Sequence, residues 1–160
     1  MLLVLFLVFT PALSSAQDLS GLAEVIDGDT LNINGAVVEL WGYDAPEIDQ
    51  QCAIQGKPWT CGQAATAHIR TFTHGKQVSC RQKPATGQKQ IYHKCAVGTL
   101  DIGAEMIEVG LALPLWPVSA RYYMRSYQEA RGLGRGMHRG TFDEPWEWRK
   151  ANGPLHAPAR

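Results

Sequence analysis

The chain reads as an α+β fold in one domain, and three observations carry that reading. Strand-like alternation with a tight-turn signal fills the first part of the chain, and helical spacing takes over toward its end. At 160 residues, 45% apolar and 19% charged, the chain can build one packed core, which excludes wholesale disorder. Fifteen Lys plus Arg balance fifteen Asp plus Glu. Bulk charge therefore announces no polyanion partner, and any anion must be drawn by a local patch or a metal ion.

Residues 2–9 are an unbroken apolar run, followed by Pro11 and the small residues Ser14-Ser15-Ala16. The run falls short of the roughly 20 apolar residues that span a bilayer. A signal peptide over 1–16, cleaved after Ala16, is the expectation, with an uncut anchor as the other reading. The mature domain is then 17–150, with 151–160 a frayed tail, and the protein is secreted or periplasmic. No membrane contact is expected after cleavage.

Residues 31–33 run into Asn34-Gly35, and 37–41 follow. Asn-Gly between two such runs is a strong hairpin cue, because both positions tolerate positive φ. Residues 49–60 hold Gly56 and Pro58 and read as a loop ending at Cys61. Residues 64–70 read as a helix, and 77–81 and 90–97 as two further strands. Residues 103–109 and 121–135 carry helical spacing, the second weakened at its end by Gly132 and Gly134. The aromatic stretch from Phe142 to Arg149 is expected to pack back on the domain.

Export sets the reading of the cysteines. Cys52, Cys61, Cys80 and Cys95 are an even set, and disulfides are the default in an oxidising compartment. Of three possible pairings, Cys52–Cys61 and Cys80–Cys95 join sequence neighbours and are favoured. A zinc site has no Cys-x-x-Cys support. Residues 121–160 hold eight Lys or Arg against four acids. Arg121 and Arg125, then Arg131, Arg135 and Arg139, recur every four residues and would form a basic ridge if helical, or else a solvated face.

Two acidic motifs carry the chemistry. Val25-Ile26-Asp27-Gly28-Asp29-Thr30 precedes the hairpin, and Tyr43-Asp44-Ala45-Pro46-Glu47 follows it. Either alone is commonplace. A hairpin of this length returns its ends to one edge, so Asp29 and Asp44 can converge. Hard carboxylates with a backbone carbonyl make a Ca²⁺ site, with oxygens at about 2.3–2.6 Å.

Taken together, these motifs resemble the staphylococcal nuclease (thermonuclease) family. Cys61-Gly62-Gln63-Ala64-Ala65, Val109-Gly110-Leu111-Ala112 and Phe142-Asp143-Glu144-Pro145-Trp146-Glu147-Trp148-Arg149 extend the resemblance to its exported, cysteine-bearing bacterial branch. The resemblance implies a five-stranded OB-type β-barrel with about three helices, and Ca²⁺-dependent hydrolysis of single-stranded DNA or RNA by a monomer. It implies Asp29 and Asp44 as metal ligands, Ala45 as a main-chain oxygen ligand, and Glu47 as the general base or water-orienting group.

Two departures stand against that activity. The family's arginine five residues before the ligand Asp is here Glu39, and its second arginine position is occupied by Gln90. An arginine that stabilises a transferring phosphate can be worth about 10³ to 10⁵ in rate. Lys89 or Lys94 is a point charge that cannot fork onto two oxygens. Phosphodiester hydrolysis is therefore expected to be weak or lost, while Ca²⁺ is still expected to bind, though weakly, because a cation relieves the crowded charges of Asp29, Asp44 and Glu47. A non-catalytic OB-fold module binding nucleic acid or protein is the alternative, and a disulfide-stapled structural module the third. His68, His74, His93 and His138 show no ligand spacing and read as surface or structural groups. Trp116, Trp146 and Trp148 read as packing residues, with Tyr92, Tyr122 and Tyr123 as candidate stacking faces.

Overall fold

Alternating apolar and polar side chains build the barrel wall. In the computed structural model, which describes residues 18–83 and 91–153, β1 (Leu19–Val25) pairs antiparallel with β2 (Thr30–Ile33), and β2 with β3 (Ala36–Leu40). Between β2 and β3, Asn34 and Gly35 have φ of 53° and 84°, the backbone that a two-residue hairpin turn requires. The Gly35 N–H donates to Asn32 Oδ1 at 2.9 Å.

After β4 (Tyr43–Asp44) come β5 (Cys52–Ile54), β6 (Lys57–Trp59) and α1 (Cys61–Thr73). They are followed by β7 (Gln77–Lys83), β8 (Tyr92–Val97), β9 (Leu100–Asp101) and α2 (Ile102–Glu108). The chain then forms β10 (Leu113–Pro114), α3 (Ala120–Gly132), a 3-10 turn over Gly136–Arg139, and α4 (Pro145–Asn152). The sheet runs β3-β2-β1-β7-β8-β9, and β3 also pairs parallel with β8 through Glu39↔Tyr92 and Leu40↔His93. That pairing closes five strands into the expected OB-type barrel.

The barrel is filled by Leu31, Ile33, Val38 and Val78, all fully buried, with Ile69 from α1 and Met106 and Ile107 from α2. A second cluster gathers Cys52, Cys61, Leu113 and Met137 against Phe142 and Trp146, so the aromatic tail does pack back. Both favoured disulfides form. Cys80–Cys95 links facing residues of β7 and β8, whereas Cys52–Cys61 ties the start of β5 to the start of α1. Among the described residues no helix is long and apolar enough to cross a membrane.

Several elements differ from the sequence reading. Residues 49–60, expected as a loop, contain the β5–β6 hairpin, which turns at Gln55 and Gly56 with φ of 52° and 74°. Pro58 is tolerated there because a two-stranded ribbon has only edges. Among the described residues there are four α-helices where about three were expected; α4 begins at Pro145, whose fixed φ suits a first helical position. The ridge of arginines does not form, because α3 stops at Gly132. Arg135 turns to Glu108 and Glu129 at 3.4 and 3.3 Å, and Arg139 lies over the Trp59 ring. The proposed leader 1–16 and Gln90 lie outside the described residues.

Candidate active site

The first acidic motif is a bend joining β1 to β2. Its backbone is tied by the Ile26 N–H to the Thr30 carbonyl (3.0 Å) and by the Asp29 N–H to Asp27 Oδ1 (3.1 Å). The Leu40 N–H donates to the Asp29 carbonyl at 2.8 Å, locking the bend to the end of β3. Gly28 is required by close approach: a Cβ there would lie 2.6 Å from Ala45 Cβ and 3.0 Å from Ala65 Cβ. The buried Tyr43 hydroxyl donates to the Gly28 carbonyl at 3.1 Å.

This packing lays the bend against the second motif. Asp44 sits in β4, held beside Leu113 of β10. The Ala45 N–H donates to Asp29 Oδ2 at 2.8 Å, so Ala45, expected to lend its carbonyl, engages Asp29 through its amide. Glu47 follows, its N–H donating to Gln50 Oε1 at 3.2 Å. The start of α1 presses on this loop, where a Cβ on Gly62 would lie 1.6 Å from the Glu47 carbonyl oxygen. Asp29, Asp44, Ala45 and Glu47 are thus brought together as the motifs implied. Glu39 joins them from β3, opposite Tyr92.

Like charges at this density raise one another. The Asp29 carboxyl titrates well above the usual range, first because it is desolvated, then because Asp27 and Asp44 face it. Burial also raises Glu39, with Asp27 adding to it. Glu47 is raised by burial as well, against the opposing pull of Arg149.

Arg149 is the group that the motif reading missed. It comes from α4, 105 residues beyond Asp44, and forks onto that carboxylate: Nη1 to Oδ1 at 2.7 Å and Nη2 to Oδ2 at 2.5 Å. The same Nη1 reaches Glu47 Oε1 at 2.8 Å. The hydrogen bonds to Asp44 push the guanidinium pKa up from an already high value. Gln50, fully buried, was missed too. Its Nε2 donates to the Asp143 carbonyl at 2.7 Å, so one amide braces the Glu47 loop against the segment leading into α4. The signal for Arg149 was its place in an aromatic stretch expected to fold back; an amide such as Gln50 gives none.

Calcium is the cation that the resemblance implies, and the donors test it. Asp29 and Asp44 are hard oxygen donors of the right chemistry. Yet both oxygens of Asp44 are taken by Arg149, and Asp29 Oδ2 by the Ala45 amide. Among the described residues no group of three or more His, Cys, Asp or Glu is placed to hold a metal. In this arrangement the residues do not fit the cation.

The stacking candidates divide. Tyr123 is buried, with its hydroxyl donating to Asp101 Oδ1 at 3.1 Å, so its ring belongs to the core. Tyr122 is exposed and lies under Lys94 and Arg121. Trp116, expected to pack, is 45% exposed and meets Tyr127 only edge-on.

No protein-family model matches the chain. It is similar to the succinoglycan biosynthesis protein ExoI of Rhizobium meliloti (strain 1021), at 28% identity over 136 residues. The match covers 83% of this chain and 71% of that protein.

Proposed function

We propose that the chain is an exported thermonuclease-like module whose acidic pocket faces the phosphodiester of a single-stranded nucleic acid and hydrolyses it slowly at most. The observation that supports this reading is the convergence of Asp29, Asp44 and Glu47, from two separate motifs, into one largely buried cluster. Holding several carboxylates together out of water is unfavourable for folding, which is a mark of sites built for chemistry. Glu47, its basicity raised by burial, has the character of a group that takes a proton from water. Glu39, in place of an arginine, repels the phosphate and keeps turnover low. The two disulfides support a non-cytoplasmic location. The second reading, a non-catalytic binding module, is favoured by the fork of Arg149 on Asp44.

Cleavage of labelled single-stranded DNA and RNA in Ca²⁺ tests the proposal. The parent is expected near background, and Glu39→Arg plus Gln90→Arg at least about 10²-fold faster, a small share of the rate attached to such groups. The pair is made with Arg149 intact and with Arg149→Gln, so that a closed pocket is not mistaken for an inert one. Glu47→Gln should abolish the gain. A folded set with no gain in either background would overturn hydrolysis in favour of the binding module. A succinoglycan-type polysaccharide serves as a further substrate arm, because ExoI is named for succinoglycan biosynthesis. Cleavage of that polymer alone would overturn the nucleic-acid assignment.

A further inference from the structure

We infer that Arg149 is the built-in counter-cation of the acidic pocket, occupying the oxygens that a divalent cation would need and shutting the site to Ca²⁺ while α4 stays docked. The inference rests on reading the pocket as a thermonuclease-like site. It turns on the disagreement between the implied metal and the donors present.

The geometry is that of a clamp rather than a surface ion pair. Three hydrogen bonds of 2.5–2.8 Å join one guanidinium to two carboxylates, and it covers both oxygens of Asp44. Such planar, two-pronged contacts are specific to arginine. Asp29 reaches the same turn through the Ala45 amide, so the guanidinium sits where acids of both motifs meet. The next residue shows the contrast. Lys150 points outward, its side chain 70% exposed and paired with Glu147, whereas Arg149 turns in with 32% exposed.

The clamp is also delivered by a dedicated scaffold. The Asp143 carbonyl, just before α4, is held by buried Gln50, and Thr141 exchanges two backbone hydrogen bonds with Ala53 of β5 at 2.8 and 2.9 Å. Trp146 of α4 packs on the cluster around Cys52–Cys61. Each tether runs to the segment that carries Glu47 onward into α1, so docking of α4 and neutralisation of the pocket are one event. Calcium, which takes six to eight oxygens, must displace the fork first, and its apparent affinity falls by the fraction of molecules with the pocket open.

Calorimetric titration of the disulfide-bonded protein with Ca²⁺ tests this directly. Arg149→Gln is expected to bind at least about ten-fold more tightly than the parent, and adding Asp44→Asn should abolish the gain. Equal affinity of parent and Arg149→Gln would overturn the inference. An Arg149→Gln protein that folds only when Ca²⁺ is present would support it, since the cation then replaces the lost charge. If that variant is unfolded with and without Ca²⁺, Arg149→Lys decides. It keeps a charge without the fork, so tighter binding than the parent supports the clamp and parental affinity refutes it. Failure of the functional reading looks different: Ca²⁺ bound by Arg149→Gln, with no cleavage even when Glu39→Arg and Gln90→Arg are added to it, removes the nuclease and leaves the counter-cation. A parent that binds Ca²⁺ tightly and cleaves does the reverse.

Discussion

The barrel wall and the C-terminal cap meet at the same pocket but are held by different physics. The wall is closed by continuous ladders and filled by residues with no exposed surface, and Asp27 and Asp29 on its β1–β2 bend accept from neighbouring backbone amides. The cap is lightly attached. In α4 only Pro145 is buried, and the segment reaches the wall through Gln50, the Ala53–Thr141 bridge, Trp146 and Arg149. Elements with few buried contacts open at lower free energy than the core. Asp29 is therefore expected to stay with the barrel, and α4 with Arg149 to be the first part of the site to open.

The largest expected effect breaks the cap's attachment. Gln50→Leu leaves the Asp143 carbonyl and the Glu47 N–H without their buried partner, which should cost about 1–3 kcal/mol in urea unfolding. It should also strengthen Ca²⁺ binding in the direction expected for Arg149→Gln. A destabilised Gln50→Leu protein with parental Ca²⁺ affinity would mean that the cap and the pocket are not coupled.

A smaller effect sharpens the barrel's side of the comparison. Burial and the facing carboxylates raise the Asp29 pKa, so the native state holds a proton that the unfolded chain gives up near pH 4. Stability then falls as pH rises from the unfolded value through the raised native value. Glu39 and Glu47 are raised as well and contribute the same sign. In chelator, the midpoint of thermal unfolding should fall as pH rises above about 4, and Asp29→Asn should lessen that fall. An unchanged slope would show that Asp29 is already ionised at no cost.

What the sequence made legible was local. Asp29 and Asp44 flank a hairpin whose turn residues, Asn34 and Gly35, adopt the backbone that their chemistry favours. The paired cysteines likewise stand close along the chain, and both disulfides form between those neighbours. The barrel itself was legible only through the family resemblance, because its closure is a parallel pairing of β3 with β8 that no local pattern announces. Pro58 obscured the β5–β6 hairpin by reading as a strand breaker where an edge tolerates it. Arg149 was out of reach of any spacing argument. A contact across 105 residues depends on where α4 docks, and that is decided by Gln50 and by the packing of Trp146.

Arg149 of α4 and Asp44 of β4 act as a pair between cap and barrel side. A double-mutant cycle with Asp44→Asn and Arg149→Gln, read by urea unfolding in chelator, measures that pair with least interference. A coupling of about 1 kcal/mol or more is expected, within the range for residues in direct contact, with the double variant more stable than the sum of the single losses. Additive losses, agreeing to within about 0.3 kcal/mol, would contradict it.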